Sequence, residues 1–248
     1  MAIIKIAFCS LKSIFQYKHN SLGENASFMN TIKSLLDLIL QENKIFFFSL
    51  ICFVSFVSSY LIQSTYFTED LYYNTFSEQL NSERVHKLFE LSSQYKLLVY
   101  FIIPIGLILR VLYNSFWVSI GSFFLTGEDC FGGNFNICLK AELVFFTMTL
   151  VNLILLFFIK EVKTLNDISL VPFSILSVYP IHEIPRWLQY PLQTANIWEV
   201  LYCLFGASLY SVGNNTSPKN SLMIFGASYI TGLIAWIIFV MFITLQIS

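Results

Sequence analysis

The apolar residues of this chain are gathered into long blocks, and that clustering decides what it can fold into. Five blocks, 45–62, 97–125, 139–159, 196–212 and 222–245, approach or exceed the ~20 residues that an α-helix needs to cross a bilayer. In hydrocarbon, backbone N–H and C=O groups have no water to bond, so such blocks become helices that satisfy them internally. With 56% hydrophobic and only 12% charged residues among 248, and a mean hydropathy of +0.68, the composition exceeds what a water-soluble core requires. The reading is an all-α, polytopic transmembrane helical bundle of about five spans. It has two parts: a polar and amphipathic interfacial region over residues 1–44 and a transmembrane domain over 45–248. The charge balance, 14 Lys+Arg against 15 Asp+Glu, leaves no basic surplus to neutralise phosphates, so nucleic acid is not an expected partner. The expected partners are the lipid bilayer and other integral membrane proteins.

Several segments depart from plain spans. Residues 1–15 carry Lys5 and Lys12 inside an apolar run with no small-residue cleavage site behind it, so this stretch is expected to be retained. Over 28–40, Phe28, Ile32, Leu35, Leu36 and Ile39 recur at helical spacing opposite Asn30, Lys33, Ser34 and Asp37. That pattern suits a helix lying in the headgroup region or packed on the protein's own loops. The second block has 29 residues, about 43 Å of helix against a hydrocarbon core of about 30 Å, so it must tilt, kink or protrude. Pro104 and Gly106 offer a kink.

Between the third and fourth blocks, Pro172, Pro180, Pro185 and Pro191 interrupt residues 168–193, which excludes one continuous helix. The alternatives are a re-entrant loop and an interfacial pair of short helices; Tyr179, Trp187 and Tyr190 favour headgroup depth. Within it, His182-Glu183-Ile184-Pro185-Arg186 lacks the second histidine of a zincin and reads as a charged interfacial tip. Orientation is only slightly encoded. An N-in, C-out arrangement places seven Lys on the cytoplasmic side and six Lys and Arg opposite, with the N-terminal cluster deciding the choice. The setting is then a bacterial inner membrane, or an endomembrane in a eukaryote.

Arg110 is the most informative single residue. It lies near the middle of the second block, where insertion scales charge about 2.5–3.5 kcal/mol for an arginine, so an internal partner is expected. Asn114 shares its face one turn on, and Asn152 lies at similar depth in the third span. Glu142 and Glu199 are the candidate carboxylates. Arg110, Asn114, Glu142, Asn152 and Glu199 thus form a candidate intramembrane polar network. It reads either as a pocket or an ion or proton path, or as a structural Arg–Glu pair that fixes helix register.

Other chemistry is sparse. There is no nucleophile elbow, P-loop or dinucleotide fingerprint, and the three His lack ligand spacing, so no catalytic residue, cofactor or metal is expected. Cys130 and Cys138 are close enough for a bridge, but on a cytoplasmic side they are expected to be free thiols. Ser55-x-x-x-Ser59, Ala207-x-x-x-Ser211 and Ser228-x-x-x-Gly232 read as small faces for close helix packing. The tetrapeptide Phe-Gly-Ala-Ser occurs at 205–208 and again at 225–228.

The Gly132-Gly133-Asn134-Phe135 loop leading into Leu139-Lys140-Ala141-Glu142, set in a polar N-terminal part followed by five spans, resembles the Yip family of five-span membrane proteins, particularly its divergent bacterial branch. The resemblance implies a non-enzymatic protein that binds other membrane proteins. The leading expectation is therefore a non-catalytic scaffold or accessory subunit of a membrane assembly. The alternative is a permease or channel subunit that uses Arg110 with its Glu partners for anion or proton movement.

Overall fold

The computed structural model describes residues 23–77, 80–127, 130–158 and 161–247, and among these the regular elements are all helical, without a β-strand. The expectation placed on residues 1–15 lies outside the described residues. Four helices are long and apolar enough to cross a membrane: Lys44–Tyr66, Ser82–Thr126, Phe131–Phe158 and Pro218–Gln246. Of the five expected blocks, the fourth forms a shorter helix, Ile197–Gly213, whose 17 residues rise about 26 Å.

In chain order, α1 (Gly23–Gln41) is the amphipathic helix, and it packs on the protein itself. Leu36 enters the core, and Asn136 donates to the Leu40 carbonyl at 3.4 Å. Its exit is fixed by Lys140, whose buried Nζ donates to the Glu42 carbonyl at 2.7 Å and lies 4.1 Å from the centre of the Phe47 ring. Asn43 caps α2 (Lys44–Tyr66), and Thr68 caps the short α3 (Glu69–Phe76), each accepting from a first-turn N–H.

The second block proves to be the apolar part of a much longer helix, α4 (Ser82–Thr126), of 45 residues. At 1.5 Å per residue it is about 67 Å long, more than twice the hydrocarbon thickness, so it protrudes. Pro104 does not divide it. The ring removes one N–H from the ladder, yet the helix remains continuous to Gly127, which closes it at φ +74° in the left-handed region that glycine enters without strain. The polar first turns of α4 fold back on α3, where His86 Nδ1 lies 2.8 Å from Glu69 and Tyr72 donates to Ser92 at 2.7 Å.

The third span starts earlier than its apolar block. The glycine-bearing loop residues already belong to α5 (Phe131–Ala141), which runs through Glu142 into α6 (Leu143–Phe158). Asn134 is buried and donates to Ser119 of α4 at 3.0 Å, which explains why a polar residue there is helical and internal. Cys130 is exposed, Cys138 is buried, and both are free.

The proline-rich stretch breaks into short pieces, as the spacing of its prolines requires: α7 (Leu165–Ser169), two 3-10 turns at Ile175–Val178 and Ile181–Glu183, and α8 (Arg186–Thr194). A single antiparallel bridge pairs Ser174 with Asn196, and Trp198 donates its indole N–H to the Pro172 carbonyl at 3.0 Å. The segment is thereby pinned to the start of α9 (Ile197–Gly213), while α8 lies against the last helix. That last helix begins as α10 (Pro218–Ser221), passes through a π-turn over Leu222–Gly226, and continues as α11 (Ala227–Ile247).

Small residues set the close approaches. A Cβ on Gly232 would lie 2.6 Å from the Trp117 ring, and one on Gly121 would meet the Ser228 side chain. Ser55 and Ser59 line a cavity.

Candidate intramembrane polar site

Arg110 emerges from the middle of α4 and donates from Nη2 to Oε2 of Glu142, which sits at the junction of α5 and α6. Its guanidinium carbon lies 4.2 Å from the centre of the Phe145 ring, one turn along α6 from Glu142. Glu142 is wholly enclosed, whereas Arg110 leaves 42% of its side chain accessible. The arginine lines two cavities. One, of about 660 Å³, lies between α2, α4 and α6 and has Ser58, Ser59, Gln63 and Glu142 among its walls. The other, of about 530 Å³, lies between α4, α8, α9 and α11 and has Asn114, Glu199 and Tyr229 among its walls. Gly106, Arg110 and Phe145 belong to both walls.

The five residues singled out from the sequence separate into two groups. Arg110 and Glu142 pair directly, and Glu199 shares the second cavity with Arg110 and Asn114. Asn114 donates to the Tyr202 hydroxyl at 3.1 Å. Asn152 does not join them. It lies ten residues beyond Glu142 on the same helical run, about 15 Å away by helix rise, and its buried Oδ1 has no partner among the described residues.

Sequence reasoning passed over the aromatic residues that link the polar ones. Tyr202, fully buried, places its ring 4.7 Å from that of Tyr229 and 5.1 Å from that of Phe145, and Tyr229 donates its hydroxyl to Oε2 of Glu199. A partial signal was present, since Tyr202 follows Glu199 by three positions and so shares its helix face. Tyr190 and Thr194 were also missed. They come from the proline-rich segment, and the Trp236 indole of α11 donates to the Tyr190 hydroxyl at 2.7 Å, holding α8 as a wall of the second cavity.

One guanidinium thus stands between two carboxylates, each facing a different cavity. In a medium that excludes water, charge pairing of this kind is strongly directional, because an unpaired member would be left uncompensated. Glu142 Oε1 has no partner among the described residues, so the Arg110–Glu142 contact does not satisfy the carboxylate fully. When the chain was compared with protein-family models, curated proteins and solved structures, nothing matched.

Proposed function

We propose that this chain is a non-catalytic membrane protein of the permease or channel-subunit type, in which Arg110 guards the junction between two cavities. The observation that carries the reading is the sharing of Gly106, Arg110 and Phe145 by both cavity walls, with Glu142 facing one side and Glu199 the other. A residue that fixed register alone would be expected in a packed interface; this one borders open volume on two sides. An arginine able to exchange one carboxylate for the other would open one cavity as it closed the other, which is the minimum requirement of a gated path. The reading includes α9 as a fifth crossing, N-in and C-out, with the proline-rich segment at headgroup depth on the far side.

The test is flux into proteoliposomes containing the full chain, followed with a pH-sensitive dye and a chloride-sensitive dye. Flux of either ion above that of protein-free vesicles is expected, with loss in the Arg110→Met, Glu142→Met double variant. Vesicles as tight as protein-free ones to both ions would sink the reading.

A second reading, the scaffold or accessory subunit of Yip-like character, has its own support. Leu88, Leu91 and Tyr95 form an exposed apolar stripe on the part of α4 that precedes the apolar block. Apolar side chains at such spacing outside the bilayer favour a protein partner. Purification in mild detergent with mass spectrometry tests it: a stoichiometric partner lost on Leu91→Glu supports the scaffold, and a partner-free protein removes it.

A further inference from the structure

The second cavity contains two opposite charges and an aromatic enclosure, a combination that neither a proton path nor a structural ion pair needs. Glu199 lines it with a carboxylate whose Oε2 accepts from the Tyr229 hydroxyl. Across the same cavity Arg110 uses one N–H on Glu142 Oε2, out of the five N–H that a guanidinium carries. The remaining wall is largely aromatic: Tyr113, Phe145, Tyr190, Tyr229 and Trp236. Tyr113 and Trp236 meet edge to face, with ring centres 5.6 Å apart, and Trp236 is tied to Tyr190, so these rings are held in place. The volume of about 530 Å³ lies within the range of small-molecule sites, whose walls are mostly apolar with a few convergent polar groups.

We propose that this cavity binds a small zwitterion with an apolar body, its ammonium held by Glu199 among the aromatic faces and its acid group held by Arg110. The inference rests on the permease reading of the same site and names the class of solute. An ammonium gains from a carboxylate and from the negative faces of aromatic rings at once. A carboxylate or phosphate matches the planar donor fork of arginine. A ligand without the ammonium would leave Glu199 without a cation, and one without the acid group would leave most N–H donors of Arg110 unused in a low-dielectric space, so the site selects for both. The ligand's acid group also supplies Arg110 with a second anionic partner besides Glu142, which couples occupancy to the junction between the cavities.

Gly106 supplies a variant for the test. It borders both cavities, and a Cβ built on it meets nothing within 4 Å, so a larger side chain there starts into open volume. The full chain in lipid nanodiscs is heated with phenylalanine, with 6-aminohexanoate, and with the methyl ester and N-acetyl derivative of phenylalanine. At least one zwitterion is expected to raise the melting temperature in a saturable way. The two blocked derivatives are expected to bind about tenfold more weakly or worse, as are the zwitterions to Gly106→Leu and to Glu199→Gln, which keeps an acceptor for Tyr229. No stabilisation by either zwitterion, or equal stabilisation by the blocked derivatives, overturns the proposal. Proton or chloride flux without zwitterion binding would overturn this site and leave the permease reading standing. Zwitterion binding in a chain that passes neither proton nor chloride would overturn the permease reading as tested above and leave the site.

Discussion

Phe225 lays its ring directly on Gly206, so that the glycine of the first Phe-Gly-Ala-Ser tetrapeptide receives the phenylalanine of the second. Phe225 is fully buried, and it is aimed at α9 by the π-turn over Leu222–Gly226. Even one methyl group at 206 would overlap the ring. Gly206→Ala is therefore expected to destabilise the fold by about 1–3 kcal/mol, the usual cost of overpacking, although alanine is the better helix former. Adding Phe225→Leu should recover part of that loss. Unfolding of the single and double variants in detergent measures the coupling, and independent effects of the two substitutions would show that the ring does not rest on the glycine.

Arg110→Met leaves Glu142 enclosed without its cation, and a loss of about 3–5 kcal/mol is expected, as for other broken buried pairs. Combining it with Glu142→Met should restore most of the stability while abolishing flux. If the double variant is no more stable than the single one, the pair does not act as a unit.

Tyr190→Phe removes the acceptor for the Trp236 indole, an interaction worth about 1 kcal/mol. The expected result is faster amide exchange over Arg186–Thr194 with little change in α4. Unchanged exchange in α8 would mean that other contacts hold it to α11.

Five crossings, the four long helices with α9 as the fifth, would put the two ends of the chain on opposite sides of the membrane. Reporter fusions at Lys18 and at Ser248 should report different compartments, and cysteines placed on exposed positions of the proline-rich segment, such as Val178 and Tyr179, should react with an impermeant thiol reagent. Both ends reporting one compartment would remove α9 as a crossing.

The class of this protein is written in its sequence. Block length and backbone hydrogen bonding in hydrocarbon require helices, whatever their neighbours are, and Pro172, Pro180 and Pro185 fall between the short pieces of 168–193. The need for Arg110 to find a carboxylate was equally legible, because the cost of an isolated charge at that depth does not depend on the fold. Tertiary structure decided which carboxylate it meets. Glu142 and Glu199 are both about one turn inside their apolar blocks, and only the packing of α5 against α4 brings Glu142 into contact while Glu199 turns to Tyr229. Asn152 stays apart from them by its place along the helix, and the packing of α8 on α11 brings Tyr190 and Thr194 to the cavity from a segment whose local sequence points to the membrane surface. Helix periodicity fixes which residues share a face, but the rotation and depth of one helix against another follow from contacts such as Gly206 with Phe225, between residues far apart in the chain.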